Sequence, residues 1–109
     1  MQGLFSKLKN TNKSISAYGA SGKGQSLLQI CKLNENYIDF IFDKSPLKIN
    51  KYSPYGKIKI VNQKKINEIK PDYLLLLTWN LKNEIISQEK EYTSKGGKFI
   101  IPFPYPTII

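Results

Sequence analysis

The chain has 109 residues, 40% of them hydrophobic, and a formal net charge of +9. This length accommodates one domain with one core, and the composition is typical of a folded chain. Because the sequence has no histidine and a single cysteine, Cys31, it excludes an internal disulfide, an ordinary zinc site and a histidine general base.

The positive charge raises the question of a polyanion partner. All 17 basic residues are lysine, so the bidentate contacts that arginine makes with bases and phosphates are missing. The lysines are spread along the chain, which predicts a solvated surface and no nucleic-acid partner. The longest apolar run, "YLLLLTW" at residues 73–79, is too short to span a membrane, and the N-terminus lacks the apolar length of a secretory signal. We therefore expect a cytoplasmic protein with no membrane partner.

In the first half of the chain, the spacing of apolar residues predicts two helices and two strands. They are a helical lead-in or linker remnant over residues 1–13, a strand over 14–18, a helix over 24–33 and a strand over 37–43. The segment 44–57 holds two prolines and a glycine and is predicted to be a loop.

The second half continues the alternation of strands and helices. The predicted elements are a strand over 58–61, a helix over 62–70, a strand over 72–79, a helix from 81 to the glycines at 96 and 97, and a strand over 98–104. The run at 72–79 is continuously apolar, which predicts a central strand covered on both faces. Asn80 is predicted to N-cap the helix that follows it. Prolines at 102 and 104 predict an edge or terminal position for the last strand.

The alternation of strand and helix with short connections predicts the fold class. It indicates an α/β protein with a small Rossmann-like three-layer domain over residues 14–109 and a mainly parallel sheet.

The stretch "SAYGASGKGQSLL", residues 16–28, connects the first strand to its helix. Glycines and a helix N-terminus suit a phosphate, but a plain strand-to-helix turn with a basic residue explains the same letters. The spacing fits neither the P-loop nor the dinucleotide fingerprint, although Asp43 ends the second strand where a ribose-binding acid would lie. An NAD-type domain is disfavoured by this spacing and by the apparent lack of one half of the usual double fold.

Five landmarks in order carry a family resemblance. They are "YGASGKG" (18–24), "IDFIFDKSPLK" (38–48), "KYSP" (51–54), "PDYLLLLTWNLKNEI" (71–85) and "GGKFIIPFP" (96–104). Together they resemble the C-terminal domain of S-adenosylmethionine-dependent sugar C-methyltransferases, which act on nucleotide-linked deoxysugars. The chain departs from that family at Tyr55, which stands where a glycine usually follows the proline, and at Lys59, which replaces a proline. We therefore transfer no substrate contact to residues 53–59.

The resemblance implies a division of labour. In those enzymes a zinc-binding segment and a central methyltransferase domain precede this one, and the central domain holds S-adenosylmethionine and the catalytic base. The C-terminal domain has a Rossmann-like fold and helps to enclose the nucleotide sugar. For this chain we expect no catalytic residue, no metal and no cofactor of its own. Its expected partners are a nucleotide-diphosphate sugar and a methyltransferase domain or chain. Whether the chain is a fragment of a longer enzyme or the product of a split gene stays open.

The predicted substrate-binding residues fall into two groups. The first is the glycine loop, for contact with the diphosphate through backbone N–H groups and one ammonium: Ser21, Gly22, Lys23 and Gly24. The second group follows other strands: Asp43, Lys48, Trp79 and Asn80. Each of these has a structural alternative, since Asp43 suits a turn cap, Trp79 a rim of the core and Asn80 a helix cap.

Two functions remain at this stage. One is a non-catalytic module that positions the nucleotide sugar, and the other is a stand-alone module that docks on a separate methyltransferase chain without binding ligand. An apolar patch near Trp79 and Phe103 would favour docking, whereas an open polar mouth at residues 21–24 would favour ligand binding. The ligand hypothesis requires that the amides beside Gly22 are not already satisfied within the protein.

Overall fold

A six-stranded sheet forms the centre of the domain. The computed structural model describes residues 2–102 and 106–109, without the side chain of residue 2. The strands are β1 (Ile15–Tyr18), β2 (Phe40–Asp43), β3 (Lys59–Asn62), β4 (Tyr73–Leu76), β5 (Lys98–Ile101) and β6 (Thr107–Ile108). Their order in the sheet is β3-β2-β1-β4-β5-β6. The first five are parallel, and β6 is antiparallel to β5.

Helices cover both faces of the sheet. They are α1 (Gln2–Asn10), α2 (Gly22–Cys31), α3 (Ile66–Ile69), α4 (Lys82–Gln88) and α5 (Lys90–Ser94), with 3-10 turns at Gln63–Lys65 and Trp79–Leu81. One apolar cluster joins α1 and α2 to the sheet through side chains such as Phe5, Leu8 and Leu28. The other joins α3, α4 and α5 to the opposite face, with Ile85 and Tyr92 at its centre. The three-layer α/β prediction is confirmed.

Alternate residues of β1 to β5 supply the two clusters. In β1, Ala17 belongs to the α1–α2 side and Tyr18 to the other, and in β4 Leu75 and Leu76 divide in the same way. Since both faces are covered, a strand such as β4 can be apolar at every position. The central place predicted for this run is confirmed, because β4 pairs with β1 on one side and β5 on the other.

Of the edge or terminal position predicted for the last strand, the edge position is wrong. β5 lies between β4 and β6, and the sequence pattern did not indicate β6. Pro102 follows directly after β5, where no ladder hydrogen bond is needed, and the chain then returns alongside it. Phe103 and Pro104 lie outside the described residues. The sheet also extends on both sides of β1, so the expected lack of one half of the double fold is wrong as well.

The helix predicted from residue 81 to the double glycine is observed in pieces. Asn80 lies inside a 3-10 turn rather than at a helix N-cap, and neither that turn nor α4 has a side-chain cap. Between α4 and α5 the backbone of Glu89 leaves the helical region, with φ −101° and ψ 39°. Glu89 is buried and its carboxylate accepts from the Gln63 side chain at 2.7 Å.

The amino end of the sheet is closed by side-chain hydrogen bonds. Asp72 accepts from the Ser14 amide at 2.8 Å, and the Ser14 hydroxyl accepts from the Asp72 amide at 2.9 Å. The Tyr92 hydroxyl donates to the Pro71 carbonyl at 2.8 Å, and the Tyr92 ring lies so close to Gly97 that a side chain there would overlap it. In the described part of the chain, no helix has the length and apolar character needed to cross a membrane.

Candidate functional site

The loop from Gly19 to Ser21 joins β1 to α2 at the carboxyl end of the sheet. The chain turns to β2 on one side of β1 and later to β4 on the other, and such a reversal of strand order creates the usual ligand crevice. The loop is anchored at its start, because the Gly19 amide donates to the Phe42 carbonyl at 2.9 Å. The first predicted site therefore lies at the place where the topology favours a ligand.

Two glycines, Gly19 in the loop and Gly24 in the first turn of α2, are required by close packing. A side-chain carbon at Gly19, whose φ is +96°, would lie 2.8 Å from Thr78 Cγ2. The same addition at Gly24 would lie 2.7 Å from Leu77 Cβ, where α2 crosses the end of β4. Gly24 is buried, so its position is explained by the approach of helix and strand rather than by access for a ligand.

Gly22 differs from these two because a side-chain carbon there would meet nothing within 4 Å. Ser21 caps α2 by accepting from the Gly24 amide at 3.1 Å, and the Ala20 amide donates to Asp43 at 2.7 Å. In residues 2–102 and 106–109, the amides of Gly22 and Lys23 have no acceptor. The requirement of the ligand hypothesis is therefore met at the amides of Gly22 and Lys23, whereas the amides of Ala20 and Gly24 are already satisfied.

Asp43 and Lys48 hold the loop from the β2–β3 side. One Asp43 oxygen accepts from the Ala20 amide and the other from the Ser45 amide, both at 2.7 Å. The Lys48 ammonium donates to the Ala20 carbonyl at 2.6 Å. Asp43 thus has an amide on each oxygen, which is the arrangement of a loop-organising carboxylate and leaves it poorly placed to bind ribose hydroxyls.

A cavity of about 370 Å³, here called the lysine cavity, lies between the glycine loop and the β2–β3 loop. Its lining residues are Ala20, Ser21, Gly22, Gln25, Leu47, Lys48, Lys51, Tyr52, Pro54 and Ile60. Leu47 and Tyr52 are mostly exposed, at 79% and 62%. The Gln25 side-chain oxygen Oε1 accepts from the Tyr55 amide at 3.1 Å, while the buried Nε2 of the same side chain has no partner within the described residues. The cavity thus combines open amide and ammonium donors with an apolar rim.

A second cavity of about 230 Å³, here called the tyrosine cavity, lies on the α4 side of the same loop. It is lined by Tyr18, Gly19, Asp43, Lys44, Thr78, Leu81, Glu84, Ile85 and Gln88. Burial, followed by the charges of Glu89 and Asp43, raises the pKa of Tyr18 to about 12. The Lys44 ammonium donates to the Gln88 side chain at 2.8 Å.

The remaining predicted site residues lie outside both linings. Lys23 is exposed on the first turn of α2, and Asn80 is exposed on its 3-10 turn. Trp79 is half-buried and packs against both apolar clusters. An apolar patch near Trp79 and Phe103 would have favoured docking, but Phe103 lies outside the described residues. The exposed apolar side chains Leu47 and Tyr52 lie instead at the lysine cavity.

Sequence reasoning missed several residues of these cavities, among them Gln25, Lys51, Tyr52 and Thr78. Lys51 and Tyr52 belong to the "KYSP" landmark, which was the available signal, but only the folded loop places them opposite Gly22. Within the described ranges, no group of three or more histidine, cysteine or acidic residues is arranged to hold a metal ion.

Comparison with known proteins agrees with the resemblance read from the sequence. Residues 1–104 match the family described as the C-methyltransferase C-terminal domain. The chain is also similar to C-methyltransferase NovU of Streptomyces niveus, with 42% identity over 97 residues. That alignment covers 89% of this chain and 23% of the relative, so the chain spans about a quarter of that relative's length. With the α/β fold and nearly the whole chain matched, this protein belongs to the C-methyltransferase C-terminal domain family.

Proposed function

We propose that this chain is the non-catalytic module that binds and positions the substrate of a C-methyltransferase acting on nucleotide-linked deoxysugars. The observation that carries the proposal is the lysine cavity, where the open Gly22 position, Lys48 and Lys51 meet in one lining. The substrate class rests on the family resemblance and on the fit of this cavity to an anion with an apolar group attached.

The polar side of the cavity suits a diphosphate. The amides of Gly22 and Lys23 begin a helix of 10 residues, whose N-terminus carries partial positive charge. Lys48 and Lys51, which also line the cavity, add the full charges of two ammonium groups. Lys23 enters the proposal through its amide, because Lys23 is exposed and is not among the lining residues.

The other side of the cavity suits a nucleobase. Tyr52, Leu47 and Pro54 offer an aromatic and apolar surface. A nucleotide sugar held in this way would present its sugar at the carboxyl end of the sheet. Holding a flexible substrate in a reactive orientation is a recognised source of rate enhancement, even when the module supplies no reacting group.

We infer that S-adenosylmethionine is held outside this chain. The carboxylate at the end of β2, which such sites use for ribose hydroxyls, is Asp43, and both of its oxygens accept from loop amides. The sequence also contains no histidine that would act as a base. We therefore assign the methyl donor and the base to a methyltransferase domain or chain that acts together with this one.

The proposal is tested by the affinity of this chain for pyrophosphate and for dTDP-glucose in calorimetry at low salt. Lys51→Met removes a charge from the lining and is expected to lower the affinity for both probes about 5-fold or more. The difference in affinity from the unaltered chain should shrink as salt is added. Lys23→Met is the matched control with the same loss of charge outside the lining, and we expect a smaller change. Equal effects of the two variants, or no binding by the unaltered chain, would contradict the proposal.

A docking module is the second candidate. The specific observation in its favour is the exposure of Leu47 and Tyr52, which form an apolar rim. This candidate predicts that Leu47→Ser lowers affinity for a methyltransferase chain while the unaltered domain binds neither probe. Binding of the probes without such a chain would favour the substrate-positioning module instead.

A further inference from the structure

We propose that the tyrosine cavity is a second binding site, which takes a neutral hydroxyl-bearing ring, either the pentose or the hexose of a nucleotide sugar. The identity of the whole ligand rests on the proposed function. The existence of the site rests on Tyr18 and on the charges around it.

Tyr18 is buried, with 7% of its surface exposed, yet it lines a cavity. Its hydroxyl has no hydrogen-bond partner anywhere in residues 2–102 and 106–109. Buried tyrosine hydroxyls ordinarily find a partner, as that of Tyr92 does with the Pro71 carbonyl. An unpartnered hydroxyl at the base of an open cavity is therefore available to a ligand.

The charges around the cavity disfavour an anion. Asp43 and Glu84 line it, and the buried Glu89 acts on Tyr18 from behind. The single ammonium in the lining, that of Lys44, donates to the Gln88 side chain. Sugar hydroxyls both donate and accept, so a neutral ring can accept from Tyr18 and donate to the Glu84 carboxylate without a charge penalty.

Size and position agree with a single ring. A volume of about 230 Å³ lies below the roughly 300–1,000 Å³ of pockets that hold drug-sized ligands. Consecutive residues of one loop border the two cavities, with Gly19 on the tyrosine side and Ser21 and Gly22 on the lysine side. A ligand whose diphosphate lies at Gly22 therefore has the tyrosine cavity, which disfavours anions, on the other side of the same loop.

The test uses three probes with this chain: pyrophosphate, dTDP and dTDP-glucose. Tyr18→Phe removes only the hydroxyl, and Thr78→Val, a second and nearly isosteric variant, removes the neighbouring one. We expect each variant to lower the affinity for dTDP-glucose about 3- to 10-fold and to leave pyrophosphate unchanged. If the affinity for dTDP falls equally, the pentose occupies the site. If only the affinity for dTDP-glucose falls, the hexose occupies it.

Tyr92→Phe serves as the control, since it removes a tyrosine hydroxyl on the same face at the other end of the sheet. It should lower the free energy of unfolding and leave all three affinities unchanged. Unchanged affinities in Tyr18→Phe, or an equal loss that includes pyrophosphate, would overturn the inference.

Failure of the proposed function gives a different result. If the unaltered chain binds no nucleotide, the proposed function fails, and methyl glucoside then tests the cavity alone. Amide shifts at Tyr18 and Thr78 that are abolished in Tyr18→Phe would support the second site. No shifts at high methyl glucoside concentration would overturn it.

Discussion

The two ends of the sheet use similar polar residues in opposite ways. At the amino ends of β4 and β5, the Tyr92 hydroxyl donates to Pro71, Ser14 and Asp72 bond to each other, and the cavity beside Tyr92 measures about 60 Å³. At the carboxyl end, the Tyr18 hydroxyl and the Gly22 amide have no partner in the described part of the chain, and the cavities measure about 370 and 230 Å³. The amino end contributes to stability, and the carboxyl end keeps its polar groups available.

The largest expected effect is a difference in stability between variants of Gly24 and Gly22. Gly24→Val places a side chain against Leu77, so we expect a loss of about 3 kcal/mol in the free energy of unfolding. Gly22→Val meets open space and should change that free energy by less than about 0.5 kcal/mol while weakening pyrophosphate binding. Urea unfolding of both variants makes the comparison. Similar stabilities would mean that the two glycines do not have separate roles.

Removal of the Asp43 charge tests how the carboxyl end is held in shape. In Asp43→Asn one of the two amides, that of Ala20 or Ser45, loses its acceptor, and we expect a loss of about 1–3 kcal/mol. Asp39→Asn is the control, because Asp39 is exposed and its carboxylate lies 3.7 Å from the half-buried Lys9 ammonium, so the loss should stay below about 1 kcal/mol. Chemical unfolding measures both. A larger loss in Asp39→Asn would contradict the loop-organising role.

The two tyrosines provide the direct test of the contrast between the ends. Tyr92→Phe leaves the Pro71 carbonyl without its donor and should lower the free energy of unfolding by about 1 kcal/mol. Tyr18→Phe removes a hydroxyl that has no partner among the described residues and should leave stability unchanged or slightly higher. The urea unfolding midpoints of both variants, compared with that of the unaltered chain, test this difference. An equal loss in both variants would show that the Tyr18 hydroxyl is satisfied in the folded protein.

The smallest expected effect is a pH dependence at high pH. Burial raises the pKa of Tyr18 from 10.0 to about 12, and it raises that of Tyr92 as well. Because the folded state keeps the proton that the unfolded state loses, each tyrosine contributes stability that is present below pH 10 and declines as pH rises from about 10 to 12. Absorbance titration at alkaline pH should show late tyrosinate formation, and Tyr18→Phe should remove the part near pH 12. Titration of all tyrosines near pH 10 would contradict the burial.

The fold was predictable to the extent that periodicity and strand alternation determine it. Because β4 is covered on both faces, residues 73–77 are apolar throughout, and this is visible in the sequence alone. β6 was not predictable, because two residues after a run of prolines carry too little pattern, and the edge rule for Pro102 does not reveal that the chain returns. The piecewise helix around Glu89 likewise depends on a buried carboxylate that meets Gln63 from another element.

The site was predictable in place but not in detail. Topology puts the ligand crevice at the loop after β1, and the glycines mark that loop. The different tasks of Gly22 and Gly24 depend on the distance to Leu77, which belongs to another strand. Asp43 was chosen for its position at the end of β2, yet its oxygens are directed to two amides whose approach no spacing rule encodes.

Mapping of ligand contacts by NMR tests the central claim most directly. In a titration of the ¹⁵N-labelled chain with dTDP-glucose, we predict amide shifts at Ser21, Gly22 and Lys23 together with shifts at Lys51 and Tyr52 across the lysine cavity. Shifts confined to the amino end of the sheet, around Tyr92 and Gly97, or no shifts at millimolar ligand, would contradict it.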